Sequence, residues 1–207
     1  MSNLLFYFFK DRYTKIIGLL VKFFLLLRGV KVGKNFKADK FPKIILQNSN
    51  LNIGDNVTFY GDVEIRLIKQ GSINIHNDCK IDSFVRIISN NNANITIDEG
   101  NVIGIGTVIN AGTDIYIGKK CLISGYVYLQ SASHGFRPGK FIRDQEHSYK
   151  PIKIYDDVWI GSHTTVLKGV IVNKGGIIGA NSLVKQDTTI GENQIFTGSP
   201  AEYKKDR

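Results

Sequence analysis

The stretch Ile154–Phe196, IYDDVWIGSHTTVLKGVIVNKGGIIGANSLVKQDTTIGENQIF, keeps one beat. Every sixth residue is large and apolar: Ile154, Ile160, Val166, Val172, Ile178, Val184, Ile190 and Phe196. Gly161, Gly179 and Gly191 each follow a beat directly. An α-helix cannot use this rhythm, because six residues turn about 600° and scatter the apolar positions around the axis. A plain strand alternates with period two. A short strand plus a tight corner fits six residues. Three such units close one flat-sided coil, and stacked coils bury a column of Ile and Val. A fixed internal period of this kind marks a solenoid.

The beat runs upstream as Ile117, Ile123, Leu129, then Ile97, Ile103, Ile109, then Ile75, Ile81, Ile87. It continues as Ile53, Phe59, Ile65 and Val32, Ala38, Ile44. Residues between these groups read as bulged corners, rich in Asn and Gly (Asn48, Asn50, Asn52, Gly71, Asn90 to Asn92). Such residues tolerate the left-handed backbone that corners require. A β-sandwich of short strands is the alternative, but sandwiches do not hold phase over most of a chain.

The 207 residues suffice for one domain with an appendage. A net charge of +9 suggests an anionic partner: a phosphorylated cofactor, a membrane surface or nucleic acid. The basic residues are spread out, with no aromatic-basic motif, so nucleic acid ranks last and no nucleic-acid partner is expected. Cys79 and Cys121 each fall four residues after the first beat of a coil, two coils apart. Coils stack about 4.8 Å apart, so the pair stands roughly 10 Å apart, beyond disulfide reach. Two buried thiols and a reducing, cytoplasmic location are expected. No zinc-ligand spacing occurs, and no metal is expected.

Three segments follow: residues 1–31 as an apolar, amphipathic helix, 32–198 as the solenoid with one loop at 131–153, and 199–207 as a basic tail. Within residues 3–28, charges keep every uncharged run well short of the roughly 18 residues that cross a bilayer. No small-residue cleavage site marks a signal peptide. On a wheel, Asp11, Thr14, Lys15, Gly18 and Lys22 form a polar stripe. The rest is a wide apolar face with Phe6, Phe9, Tyr13, Ile16, Ile17, Leu20, Phe23, Phe24 and Leu27. Two readings stay open: peripheral contact with the inner face of a membrane, or packing on the solenoid end or a sister chain. The loop SASHGFRPGKFIRDQEHSYKPIK is the only long break in the beat and holds two of the four histidines. Loops leaving a rigid scaffold are where function concentrates.

The motif P-I-x-I-x-D-D-V-W-I-G-S-H-x-x-V-L-x-G-V (Pro151 to Val170), then I-I-G-A-N-S-L-V (Ile177 to Val184) and G-S-P-A (Gly198 to Ala201), resembles the hexapeptide-repeat acyltransferases. The nearest likeness is to galactoside, maltose and surface-polysaccharide O-acetyltransferases. It covers roughly residues 50 to 203. The resemblance implies a left-handed parallel β-helix, a homotrimer with sites between subunits, acetyl-CoA as co-substrate and a sugar or glycan acceptor.

Acetyl transfer from a thioester to a hydroxyl needs a base near neutrality, and His is the natural choice. It also needs a fixed donor for the oxyanion, and an apolar slot with positive charge for coenzyme A. By family spacing from Ile117-Gly118, His134 is the expected base. The resemblance carries over Trp159, Gly161, Ser162, Gly179, Ala180 and Lys185 as the acetyl-CoA groove, with the Ser162 backbone N–H as oxyanion donor. Lys204 and Lys205 would meet the nucleotide phosphates. Asn110, Arg143 and His147 are candidates for the acceptor. His163 reads as a solvent-facing or trimer-contact side chain and His76 as structural.

There are departures. The family carries an Asn near Gly104, and Asn110 is the nearest candidate here. The family's His-Pro is His134-Gly135, and its acceptor-binding N-terminal region is replaced by the apolar helix. The donor side therefore transfers better than the acceptor side, which points to a surface-polysaccharide or lipopolysaccharide sugar, or its precursor, near a membrane. Three rivals remain: an N-acyltransferase on a nucleotide-linked amino sugar, a zinc hydratase on the same solenoid, and a non-catalytic glycan-binding scaffold.

Overall fold

The computed structural model describes residues 3–207, with side chains from residue 12 onward. Its body is a parallel β-solenoid with three flat faces. The first face has eight strands, from Lys31–Val32 to Thr189–Ile190. The second runs from Lys37–Ala38 to Gln194–Thr197, and the third from Lys43–Leu46 to Leu183–Val184. Successive coils pair in register, beat on beat: Ile97 beside Ile117, Ile117 beside Ile154, Ile154 beside Val172. The protruding loop therefore leaves the stack without disturbing its phase.

Every beat residue from Ala38 to Ile190 is buried, and Val32 and Phe196 at the two ends are half-buried. Each fully buried Ile contributes about 1.5–3 kcal/mol of transfer free energy, so the column supplies the main driving force. Corners take up the left-handed backbone at Asn48, Asn91 and Asn92 as expected. Asn50 and Asn52 instead lie in the strand Asn50–Ile53. Lys69, Phe84, Tyr126 and His163 adopt positive φ although they are neither Gly nor Asn. Three of them donate their N–H to the preceding coil: Phe84 to Asp62 O, Tyr126 to Ile105 O and His163 to Gly125 O.

Cys79 and Cys121 are both buried and unbridged, with Asn101 on the coil between them. The Asn101 amide donates to Asp98 O and Gly118 O at 2.7 Å, and its Oδ1 accepts from Cys121 N at 2.8 Å. Burial pushes both thiols up to about 11 from 9.0. Below pH 9 the thiols are neutral in both folded and unfolded chains. As pH climbs from 9 toward 11 the unfolded thiols ionise first, so stability falls across that window. Both thiols should stay inert to a disulfide reagent in the native protein at pH 8 and react fully in denaturant. Rapid labelling of the native protein would contradict this packing.

The helix Asn3–Leu27 lies across the open end of the first coil. The packed face is not the one the wheel suggests. Thr14, Gly18, Val21 and Leu25 are buried against the solenoid. Gly18 sits so close to Phe36 O that a Cβ there would lie 2.4 Å away. Lys22 donates to Gly33 O at 2.5 Å and Arg28 to Ile44 O at 3.1 Å. Two residues of the expected polar stripe are thus the packing surface, because the backbones approach closely there. Tyr13, Ile16, Leu20, Phe23, Phe24 and Leu27 stay exposed. Phe6, Phe9 and Asp11 lie outside the described side chains.

The last residues do not form a loose tail. Glu202–Asp206 folds back as an antiparallel strand on Gln194–Thr197 and covers the last edge of the second face.

Candidate active site

The loop springs from the corner between the third and first faces. Its roots, Ala132–His134 and His147–Tyr149, pair as antiparallel strands, with His134 directly opposite His147. The two imidazoles stand 4.2 Å apart, and the His147 ring stacks toward Tyr149 at 6.0 Å. Gly135 N donates to Glu146 O at 3.0 Å, closing the pair. Further out, Gln145 fixes the turn by accepting from Arg137 N at 2.8 Å and donating to Arg137 O at 3.0 Å. At the base, Lys168 donates to Ser148 Oγ, and Lys150 pairs with Asp187 at 2.7 Å.

His134 and His147 open onto a cleft of about 540 Å³. Its floor is built from the same corner of earlier coils, where Asn90 donates to Asn110 at 3.3 Å. Asn91 donates to Tyr149 Oη at 3.1 Å, and Gln130 donates to Ala132 O at 3.0 Å. Lys69 is the one Lys or Arg that lines this cleft, while a larger cavity of about 800 Å³ on the loop side of the same two histidines is lined by Asp144 and Glu146. Asn110 and His134 therefore line one cleft. Arg143 does not line it: it lies on the outer turn Ile142–Asp144, fully open to solvent. Tyr149, Gln130, Asn90 and Asn91 were missed. The signal for Tyr149 was available, since His147 and Tyr149 alternate on one side of a strand.

The predicted donor groove is divided. Ser162 and Ala180 stack on the corner between the second and third faces, linked by Asn181 N to Ser162 O at 2.9 Å. Gly161 is required there, because a Cβ would meet Ala180 N at 2.4 Å. The N–H groups of Ser162 and Ala180 have no hydrogen-bond partner among the described residues. Trp159 lies on the second face, half-exposed, with its indole N–H donating to Ser124 Oγ at 3.2 Å. Gly179 precedes Ala180 and abuts Thr197. Lys185 instead follows the last strand of the third face, on the corner that carries the loop. Lys204 and Lys205 are exposed on the returning strand, with Lys205 opposite Ile195.

One feature of the second face was not foreseen. Its outward column reads Val102, Leu122, Trp159, Ile177 and Ile195 in register, ending at Lys205. Leu122 and Trp159 are about half exposed, 53% and 50%. This is an apolar strip beside the Ser162–Ala180 corner, closed by a cation. Of the other histidines, His163 stacks on Tyr126 at 5.0 Å, and His76 lies 4.0 Å from Asp98. No group of three metal-ligating side chains occurs among the described residues.

No family model matches the chain. It is 33% identical over 93 residues to a galactoside O-acetyltransferase of Lactococcus lactis, a match that covers 45% of this chain and 44% of that protein. WbbJ of Escherichia coli K12, which carries the name of a lipopolysaccharide biosynthesis O-acetyl transferase, is 26% identical over 182 residues, 83% of this chain and 80% of that one. The chain spans less than half the length of the curated relatives it matches at 32–33% identity. Among solved structures, AntD, an N-acyltransferase from Bacillus cereus in complex with dTDP-4-amino-4,6-dideoxyglucose and coenzyme A, superimposes with a TM-score of 0.64. The two share 20% identity, with 90% of this chain and 88% of that one covered. This chain is thus a solenoid of six-residue repeats that is similar in sequence to acetyltransferases and shares its fold with an N-acyltransferase solved with a nucleotide-linked sugar.

Proposed function

We propose that this chain transfers an acetyl group from acetyl-CoA to a sugar hydroxyl, with His134 as general base. The acceptor is a surface polysaccharide, a lipopolysaccharide or a precursor of either. The observation that carries this reading is the cleft at His134. It offers amide and phenol groups that both donate and accept, as a ring of hydroxyls requires.

The mechanism is a direct attack. The acceptor oxygen loses its proton to His134 as it bonds to the thioester carbonyl carbon. The carbonyl oxygen takes negative charge and is met by the Ser162 N–H. Collapse expels the coenzyme A thiolate, which takes up the proton held by His134. Cys79 and Cys121 are buried in the column, so neither serves as an acyl carrier. The pantetheine arm would lie along Leu122, Trp159 and Ile177 past Ala180, with Lys204 and Lys205 toward the phosphates.

One chain cannot assemble this site. His134 and Ser162 stand on two different corners, with the third face between them. The corner bearing His134 must meet the Ser162–Ala180 corner of another copy. Such a head-to-tail contact closes into a ring, and the homotrimer implied by the resemblance is that ring. Lys185 then joins the groove from the His134 side. The two unpaired thiols suit the reducing cytoplasm, where acetyl-CoA is available.

N-acylation of a nucleotide-linked amino sugar is the second reading, favoured by the fold shared with AntD. Coenzyme A release from acetyl-CoA, measured with sugars, amino sugars and oligosaccharides, decides between them. Release that depends on a hydroxyl acceptor supports O-acetylation. Release confined to an amino sugar supports the second reading. No release and no acetyl-CoA binding would remove both and leave the scaffold.

A further inference from the structure

The charge of this chain is concentrated at one end. Residues 1–43 hold ten Lys and Arg against two Asp, whereas residues 44–207 hold 17 against 16. The excess therefore sits on the helix and the first coil, although the basic residues look scattered along the sequence. Lys31, Lys34, Lys37, Lys40 and Lys43 recur every third residue. That spacing places one on each of the three faces and on two of the three corners as the first coil turns, so they ring most of the solenoid end, with Lys40 and Lys43 also pairing with Asp62 and Glu64 of the next coil.

Inside this ring lies the outer side of the helix. Thr14, Gly18, Val21 and Leu25 face the solenoid, so the opposite side points away from it. There Tyr13, Ile16, Leu20, Phe23 and Leu27 are all about half or more exposed. Phe24 extends the surface to Phe41 on the first coil, ring to ring at 5.8 Å. No helix of the described residues is long and apolar enough to cross a membrane. A helix lying flat across the end, apolar outward and rimmed by lysines, has the chemistry of an interfacial element.

We propose that the helix-capped end docks flat onto an anionic bilayer, with the apolar side chains among the acyl chains and the lysine ring on the headgroups. The solenoid then stands upright on the surface. His134 closes the fifth coil, four coil spacings from the first, which puts it roughly 20 Å above the ring. Resting on the acetyl-transfer reading, that height selects a lipid-linked glycan whose reacting sugar stands well clear of its lipid.

The test is co-flotation of the full chain with vesicles of phosphatidylglycerol and phosphatidylcholine, against phosphatidylcholine alone. Neither acceptor nor coenzyme A is present, so this result and the transferase result can fail separately. Expected is binding to the anionic vesicles that weakens with salt. Phe23→Ser with Leu27→Ser should reduce it by about tenfold or more, as should Lys31→Glu with Lys34→Glu. All four positions are exposed, so both variants should melt with the wild type. Wild type that stays in solution with both vesicles overturns the proposal. So does binding that neither variant weakens. A native assembly that falls apart in the Phe23/Leu27 variant also overturns it, because that face would then cover a second copy.

Discussion

His134→Ala should lower kcat/KM for acetyl transfer by about 10²–10⁴-fold, the range that a positioned general base supplies. Acetyl-CoA affinity should stay within a few-fold, because the groove residues lie on another corner. A sugar hydroxyl is a weak nucleophile until its proton leaves, so removing the base acts on the chemical step. The substitution is structurally mild: His134 is exposed, and the backbone pairing of Ala132–His134 with His147–Tyr149 does not depend on its ring. His147→Ala makes the contrast. The His147 ring lies tilted against that of His134 at 4.2 Å and lines the same cleft. A group that only shapes the cleft should raise KM for the acceptor and change kcat little. Steady-state rates of coenzyme A release, with a thermal melt of each variant, make the measurement. His134→Ala activity within threefold of wild type would remove His134 as the base. Should His147→Ala alone carry the large loss in kcat, the roles of the two histidines are exchanged.

How much could be read beforehand depends on whether a period was present. The column from Ala38 to Ile190 was legible because each beat residue must point inward, and a slip of one would expose the whole set. Ser162 and Ala180 came from the resemblance and not from the beat, which marks only the glycines before them, Gly161 and Gly179, as places where coils approach. Off the beat, legibility fades. The outward strip from Val102 to Ile195 was overlooked because it lies one residue before each beat, where an apolar residue merely looks like part of the same run. Thr14 and Gly18 were grouped with the polar stripe by the helical wheel. What places them inside is proximity: Phe36 O leaves no room for a side chain at Gly18. The loop has no period, so its hairpin roots and the opposition of His134 to His147 came only with the structure. The amide floor of the cleft is non-local. Asn90, Asn110 and Gln130 come from three coils, and nothing in one coil announces the next.

The division of the site between corners leads to the sharpest expectation. His134→Ala and Ala180→Trp should each be inactive alone, the first without a base, the second with its groove filled by an indole. Ala180 is exposed and lies outside the left-handed region, so the larger side chain is accommodated by the fold. Mixed under conditions that allow subunits to exchange, the two should recover activity. A working site needs an intact His134 corner from an Ala180→Trp chain and an intact Ala180 corner from a His134→Ala chain. At equal amounts and random assortment each condition is met half the time, so about one quarter of the sites work. Recovery from background to roughly 25% of wild-type rate is therefore expected, with nothing recovered when exchange is blocked. Differently tagged chains, co-purified before assay, confirm that hybrids have formed. Hybrids that form but stay inactive would mean that both corners serve one site within a single chain, which the geometry of the third face opposes. A chain carrying both substitutions, mixed with wild type, is the complement. At equal amounts it also leaves about one quarter of the sites intact, because both corners of a working site must then come from wild-type chains. A rate near one half in that mixture would point instead to sites built within single chains.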